Sequence, residues 1–447
     1  MNKVAIIGYG IEGKQSAKYF RDNGNLVTIC DANEDLDIPS YYEKNLGKGH
    51  LDNLEKFDVI VRTAGIHPTK ILQANPQHPE ILKRITTSLN EFLAVCPSHN
   101  IIGITGTKGK GTTCTLVKLM LDAAKVPNHL GGNIGIAPLT MLKSIKPNDW
   151  VILELSSFQL IDIKHHIPTA VCLVIYPEHL NWHADMAEYL AAKANLFKHQ
   201  LSSDTSIYDA NSEQSRLIAS AGPAKKLMYD VPKIGNEPKK TKSAYVRGNN
   251  IYHNNTLVMP LSDVALPGRY NLANICAAIS IVWPIINGDT ASIVEVVSTF
   301  KGLAHHMEYV TEIDGVKYIN DSYSTMPDAT IAAIETVTEQ KVLILGGYDK
   351  KLPFDNMIKA ISKSQIRQVL LIGSLAKKLQ KMLNDSGMSK TTLVDNDMES
   401  IILACKNFAQ PGDTVLLSPG CAAKGDGYFI DNVDRGNQFK RILSTTY

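Results

Sequence analysis

Gly106-Thr107-Lys108-Gly109-Lys110-Gly111-Thr112-Thr113 sets two lysines among three glycines, between an apolar run over 101–105 and an amphipathic stretch over 114–124. The chemistry open to such a run is phosphate binding. Glycines let backbone N–H groups close around phosphate oxygens, a helix start adds the positive end of its dipole, and Lys110 adds a mobile charge. The common phosphate loop is GxxxxGK[ST], whose final hydroxyl meets a magnesium ion. Here Gly111 follows Lys110, and the hydroxyls come later, at Thr112 and Thr113. A ligand-free glycine turn would leave Lys108 and Lys110 repelling each other, and an anion removes that conflict. The expectation is a nucleoside triphosphate user.

Two further side chains fit a metal beside a triphosphate, and a third lies near them in the pattern. Glu154 lies inside Val151-Ile152-Leu153-Glu154-Leu155, where an unpaired buried carboxylate is costly and a cation partner is favoured. His179 follows an apolar strand over 170–175. Both are ligands that a divalent cation accepts. Lys193 sits in a mostly apolar helical stretch over 189–197. Its position alone reads as a lysine that lays its stem on apolar surface and keeps its head in water.

A second phosphate signal opens the chain. Gly8-Tyr9-Gly10-Ile11-Glu12-Gly13 matches GxGxxG, follows a strand over 4–7 and leads into a helix over 14–23; Asp31 lies 18 positions past Gly13. A dinucleotide site and a site for another diphosphate, such as a nucleotide sugar, fit equally well.

These residues need α/β scaffolding, because ligands of open parallel sheets bind beyond the carboxyl ends of the strands. Strands over 4–7, 26–30 and 59–62 are expected in a first domain, 1–92. A second, 93–298, holds the phosphate loop, strands over 150–155 and 170–175, a small surface hairpin over 231–256, and a helix over 272–283. A third, 299–447, has strands over 317–319, 342–345, 368–372 and 414–417. The fold class is thus α/β in three domains: Rossmann-like, a central P-loop ATPase-like parallel sheet, and a C-terminal Rossmann-like α/β unit. A chain of 447 residues is too long for one core. A net charge of +2 gives no general attraction to nucleic acid or membranes. No apolar run is long enough to span a bilayer, and the N-terminus lacks a signal-peptide pattern. Seven scattered cysteines without a CxxC pair point to free thiols in a reducing compartment. A cytoplasmic enzyme follows; a monomer is the expectation, without a sequence feature that carries it.

Taken together, GITGTKGKGTT, GGNIG, ELSSFQL, YPEHLNWH with AAKANLF, LPGRYNLAN, YINDSYST, LGGYDKK and LLSPGCAA with RGNQF resemble, in order and over essentially the whole chain, the Mur ligases. ELSSFQL with GGNIG is the most specific part. The resemblance implies ATP-dependent amide formation in peptidoglycan precursor synthesis, by the branch that adds D-glutamate to UDP-N-acetylmuramoyl-L-alanine. The substrate carboxylate attacks the γ-phosphate, an acyl phosphate forms, and the amine of glutamate displaces phosphate. A carboxylate meeting a triphosphate is a like-charge encounter of about 4 kcal/mol per charge pair at 4 Å and an effective dielectric near 20. Magnesium and Lys110 would cancel such repulsion. Holding the substrates in line can contribute roughly 7–11 kcal/mol more.

Carried over residue by residue, the resemblance implies that Gly106, Thr107, Lys108, Gly109, Lys110, Gly111, Thr112 and Thr113 bind ATP, with Asn271, Asn320 and Asp321 on adenine and ribose. Thr112, Glu154, His179 and Lys193 would hold Mg²⁺, two ions in all, Lys193 as a carbamate formed with CO₂. Ile11, Glu12, Asp31, Thr63 and Gly65 match the uridine-diphosphate loops, and Asn133 and Ser156, with Ser157, lie near the substrate's sugar and phosphates. Lys110, Lys193, His179 and His306 would serve catalysis.

The chain departs from the family pattern in its last third. His306 stands where an arginine is usual, and a neutral imidazole is a weaker phosphate partner than a guanidinium. Tyr323 replaces a lysine, and Ala423 a serine. Thr325 and Lys350 remain, Phe429 lies near an aromatic position, and Lys424 could supply the missing charge. L-glutamate or another amino acid is therefore an open alternative. The phosphate loop also resembles that of folylpolyglutamate synthases, but about 90 residues with GxGxxG precede it here. A nicotinamide-dependent oxidoreductase would leave the phosphate loop and ELSSFQL unexplained, and a non-catalytic nucleotide sensor would tolerate loss of Lys193.

Overall fold

The computed structural model describes residues 1–133, 136–180, 182–266, 268–349, 352–423 and 428–445. Two compact units divide the chain, Met1–Phe300 and Lys301–Tyr447.

The first unit holds two parallel sheets. Strands β1 (Lys3–Ile7), β2 (Leu26–Asp31), β3 (Glu43–Leu46), β4 (Val59–Arg62) and β5 (Ile85–Thr86), with helices α1 (Ile11–Asp22), α2 (Pro68–Ala74) and α3 (Ser88–Val95), form a sheet in the order β3-β2-β1-β4-β5. Val4, Ala5, Ile6 and Ile7 are buried on both faces, which is why β1 reads as a continuous apolar run rather than an alternating one. The strand order reverses beside β1, so the Gly8–Gly13 turn opens at the switch point of the sheet. Helix α1 begins at Ile11, three residues before the expected start. Gly13 is therefore helical, and a Cβ there would lie 1.9 Å from the Gly8 carbonyl oxygen.

The second sheet carries β6 (Ile101–Thr105), α4 (Lys110–Ala123), β7 (Asn128–Gly132), α5 (Pro138–Met141), β8 (Trp150–Glu154), α6 (Ser157–Leu160), β9 (Thr169–Cys172), α7 (Met186–Lys198), β10 (Thr205–Asp209), α8 (Glu213–Ala219) and β11 (Lys225–Tyr229), in the order β11-β10-β9-β6-β8-β7. Strand β6 is central, flanked by β9 and β8, so the loop after it lies at the crevice of the sheet. Strand β9 ends at Cys172 rather than 175, although the Thr107 N–H still reaches the Val174 carbonyl at 2.9 Å. The surface hairpin expected over 231–256 is corrected by the structure. A third strand joins it, giving antiparallel β12 (Ala244–Arg247), β13 (Asn250–His253) and β14 (Thr256–Pro260). Ala244, Ile251 and Met259 are buried in one core with α9 (Arg269–Val282) and α10 (Thr290–Val297). The crowding of Lys, Asn and Gly in that segment marks its turns and hides the apolar face between them.

The second unit is one mixed sheet. Its elements are β15 (Glu308–Ile313), β16 (Val316–Asn320), α11 (Pro327–Thr336), β17 (Lys341–Gly346), α12 (Asp355–Lys363), β18 (Ile366–Ile372), α13 (Ala376–Asp385), β19 (Thr391–Leu393), α14 (Met398–Phe408), β20 (Thr414–Leu417) and α15 (Asn432–Thr445). The order is β15-β16-β20-β17-β18-β19, with only β15 antiparallel to its neighbour. All seven cysteines are free thiols, and six of them are buried. No helix among the described residues is long and apolar enough to cross a membrane.

Candidate active site

Gly109 caps the start of α4 with a φ of 87°, a conformation that suits glycine. A Cβ at this position would fall 2.1 Å from Asn274 Oδ1. The loop therefore packs directly on α9, and Asn274 in turn donates to Asn271 Oδ1 at 3.3 Å. Beside the loop lies a cavity of about 410 Å³ lined by Lys108, Gly109, Asp209, Asn211, Arg269 and Asn274. Lys110 Nζ folds back and donates to the Gly106 and Thr107 carbonyls, each at 3.0 Å. Lys108 points elsewhere and pairs with Glu178 at 2.7 Å. Thr107 Oγ1 meets the Tyr189 hydroxyl at 2.8 Å and accepts from the Tyr176 N–H at 3.0 Å, tying the loop to α7 and to the segment after β9. Thr112 is half-buried, while the Thr113 hydroxyl is buried and has no hydrogen-bond partner.

Glu154, at the carboxyl end of β8, is almost fully buried. Its Oε1 accepts from Asn133 Nδ2 at 2.8 Å, and its Oε2 is buried without a partner. Burial pushes the carboxyl up, and Lys110, the Asn133 amide and Lys193 pull it back. Such an orphaned oxygen is expensive unless a cation meets it, so the donor set fits Mg²⁺. His179 stands in left-handed backbone, φ 59°, its ring 4.7 Å from that of Phe158. Burial lowers its pKa against the opposing pull of Glu178, 3.5 Å from Nε2, which favours the neutral form that a metal accepts.

Lys193 departs from the plain sequence reading of a lysine with its head in water. It is 2% exposed, and Nζ donates inward to the Gly106 carbonyl at 2.9 Å and to Thr105 Oγ1 at 3.3 Å. Among the described residues no carboxylate lies within salt-bridge distance of it. Burial and the Lys110 charge bring its pKa down to about 7.

Around the first sheet, the nucleotide-loop residues are held by their own chain. Asp31 accepts from the Tyr9 N–H at 2.7 Å and the Asn33 N–H at 2.9 Å. Glu12 accepts from the Ala64 N–H at 3.1 Å, and Thr63 donates to the Ile7 carbonyl at 2.8 Å. Ile11 is 80% exposed, and the Gly65 carbonyl accepts from the Trp182 indole at 3.1 Å. Ser156 caps α6 in a reciprocal box with Gln159.

Sequence reasoning missed Arg62. It is fully buried at the end of β4 and forms a bidentate pair with Asp162, at 2.9 and 2.6 Å. It also donates to the Phe158 carbonyl at 2.9 Å and the Ile66 carbonyl at 2.8 Å. This pair fastens the first sheet to the ELSSFQL segment; its one sequence signal is a charge closing the apolar run Val59-Ile60-Val61. Removing Arg62 strands the Asp162 carboxylate, itself 19% exposed, so Arg62→Ala is expected to lower stability by about 3 kcal/mol, the lower end for a broken buried pair, read from urea denaturation. Replacing both partners by apolar residues is expected to lose less.

In the second unit, Tyr323 stacks on His306 with centroids 4.8 Å apart and planes 5° apart. Burial and neighbouring His305 lower the pKa of His306. Asn320 is fully buried and donates to Glu308 Oε2 at 3.0 Å, with His305 Nδ1 also at 3.0 Å. Asp321 accepts from the Met307 N–H at 3.1 Å and the Ser418 hydroxyl at 2.7 Å. The Thr325 N–H bonds the Tyr323 carbonyl at 2.8 Å. The buried Ala423 N–H bonds Asn432 Oδ1 at 3.0 Å, and Phe429 belongs to the core. Lys350 and Lys424 lie outside the described residues. Arg435, also missed, donates to Ser322 Oγ at 3.0 Å and to the Cys421 carbonyl at 3.2 Å, joining the loops after β16 and β20.

Comparison with known proteins adds the family. A family model described as Mur ligase middle domain matches residues 104–282, and one described as Mur ligase, glutamate ligase domain, matches 305–421. The UDP-N-acetylmuramoylalanine--D-glutamate ligase of Acetivibrio thermocellus is 34% identical, over 99% of this chain and 96% of its own. The ligase of the same name from Clostridium tetani is 33% identical with the same coverage. Among solved structures, the MurF ligase of Thermotoga maritima in complex with ADP superposes with a TM-score of 0.55 at 17% identity, over 99% of this chain and 95% of that one.

Proposed function

The chain belongs to the Mur ligase family, and from that premise we propose that it is the ATP-dependent ligase that adds D-glutamate to UDP-N-acetylmuramoyl-L-alanine through an acyl phosphate. The observation that carries this reading within the fold is the orphaned Glu154 Oε2, buried at a strand end that pairs with the strand feeding the phosphate loop. A like-charged carboxylate and triphosphate need a pre-formed cationic centre there.

The residues divide the work. Gly106 to Thr113 cradle the phosphates, and Lys110 turns from its two carbonyls toward the β/γ-phosphates. Asn271 and the cavity beside Gly109 take the adenosine part, with Asn320 and Asp321 the candidate adenine and ribose positions of the second unit. Thr112, Glu154, His179 and Lys193 hold the metal, with two Mg²⁺ ions as the full complement. Bound Mg²⁺ supplies neutralisation of the phosphate charge that opposes the incoming carboxylate. Ile11, Glu12, Asp31, Thr63, Gly65, Asn133 and Ser156 take the nucleotide sugar. Lys193 acts as a carbamate: its neutral amine adds to CO₂, an N–C bond forms, and one proton leaves to solvent. The product is an anion where a cation would be out of place. His306, Tyr323, Thr325, Ala423 and Phe429, with Lys350 and Lys424, form the amino-acid end. The domain limits are 1–92, 93–298 and 299–447, and the protein works as a cytoplasmic monomer without nucleic acid or membrane partners.

The test is phosphate release from ATP with UDP-N-acetylmuramoyl-L-alanine and a panel of D- and L-amino acids. Turnover with D-glutamate is expected, and absence of both ADP and an extended product with every amino acid defeats the reading. Tyr323, flat against His306, offers a π face and a hydroxyl where the family pattern has an ammonium. In the same assay Tyr323→Lys is expected to lower KM for D-glutamate by about tenfold, one charge-assisted hydrogen bond's worth of roughly 1.4 kcal/mol. An unchanged D-glutamate saturation curve would take Tyr323 out of the amino-acid site.

A further inference from the structure

His67, His183 and Glu188 each offer one ligand atom within 4.8 Å of the others. His67 caps the start of α2 in the first sheet, His183 follows the segment that carries His179, and Glu188 lies in the first turn of α7. His67 Nε2 is 3.3 Å from Glu188 Oε2, and His183 Nδ1 is 3.4 Å from the same oxygen. Ligands held tetrahedrally about 2.1 Å from Zn²⁺ stand about 3.4 Å apart. Both histidines are nine-tenths or more buried. His183 Nδ1 is buried and makes no hydrogen bond of full geometry; what it faces is the Glu188 carboxylate, at 3.4 Å.

The outer partners are in place as well. His183 Nε2 meets Ser157 Oγ at 2.9 Å, and His67 Nδ1 meets Thr69 Oγ1 at 2.7 Å. Hydrogen bonds on the far ring nitrogen fix tautomer and orientation in metal-binding histidines. With metal on Nε2, the His67 proton moves to Nδ1, where Thr69 Oγ1 accepts it; the bond from the Thr69 N–H to Nδ1, 3.2 Å, is given up. Glu188 Oε2 already accepts from the Ala184 N–H at 2.8 Å, which holds the carboxylate in place. Trp182 covers one side, its ring 4.4 Å from that of His67, and Glu188 stays partly open to solvent.

We propose that His67, His183 and Glu188 form a site for an imidazole-preferring divalent cation of the Zn²⁺ class, separate from the hard-oxygen Mg²⁺ site at Glu154 and His179. Two imidazoles and one carboxylate leave a fourth position for water. The ion would fasten the start of α2, in the first sheet, to α7, which bears Lys193.

The full chain, stripped with chelator and kept in excess Mg²⁺ to hold the oxygen sites, is titrated with Co²⁺ as a spectroscopic stand-in for Zn²⁺. One equivalent is expected to give the visible absorption of four-coordinate Co²⁺ and to raise the thermal midpoint. His67→Ala is expected to abolish both effects, and His179→Ala to keep them. Should His67→Ala lack a cooperative thermal transition, Glu188→Gln decides, with binding expected to weaken by at least about 100-fold, the upper end for outer-partner losses. No absorption at one equivalent would leave Glu188 as the shared acceptor of two imidazole N–H groups and overturn the proposal. A signal that survives in both His67→Ala and Glu188→Gln, or that disappears in His179→Ala, overturns it too.

Discussion

Lys110→Ala is expected to cut ATP-dependent phosphate release by at least about 10²–10³-fold, the loss typical of removing one pre-organised donor from a charge-stabilising site. Among the described residues, Lys110 Nζ hydrogen-bonds the Gly106 and Thr107 carbonyls, two neutral acceptors that a phosphate group outcompetes. Its neighbour Lys108 cannot take over, because it is half exposed and paired with Glu178. Lys108→Ala is accordingly expected to cost much less, since an exposed ion pair contributes about 0–1 kcal/mol. The fold does not depend on Lys110. Its Nζ bonds span one turn of the loop, so the thermal midpoint of Lys110→Ala should stay close to that of the parent. A folded Lys110→Ala protein that keeps turnover within tenfold would remove the phosphate loop from the reaction.

The sequence made the loop and the parallel sheets legible because both depend on local pattern. Apolar runs at Val4–Ile7 and Ile101–Ile104 are buried on both faces, and glycine at 109 answers a close approach to α9. Contacts far apart in the chain were not legible. Arg62 and Asp162 are 100 residues apart, and nothing beside either one in sequence names the other. The same holds for His67 and Glu188, 121 residues apart. Resemblance puts Asn320 on the nucleotide, while no motif announces the bonds its side chain makes to Glu308 and the ring of His305. Those partners lie 12 and 15 residues back in the chain, at and before the antiparallel β15. The antiparallel β12–β14 layer was misplaced for a related reason. Short strands between polar turns look like surface until the helix that covers them, α9, is in place.

Lys193 is the residue whose meaning changed most between sequence and structure, and Lys193→Ala is the second large expected loss. A buried ammonium without a carboxylate is costly, and here the amine is aimed at the carbonyl of Gly106, inside the phosphate loop. Its pKa of about 7 leaves much of the amine uncharged at neutral pH, the form that can add to CO₂. As pH falls through about 7 the amine takes a proton, so activation by bicarbonate is expected to fade on the acid side and to be full on the alkaline side. Lys193→Ala should lower turnover by at least about 10²-fold, the scale of losing one oriented charged group from such a site. Acetate or formate, entering the space left by the side chain, should restore part of it. Lys193→Arg should be inactive and beyond rescue, because a guanidinium stays charged and cannot become a carbamate. Turnover is measured as phosphate release, with thermal midpoints of each variant recorded alongside. A folded Lys193→Ala enzyme that is active without added acid would return the lysine to a structural role, and with it the idea that an anion belongs at that point beside Glu154.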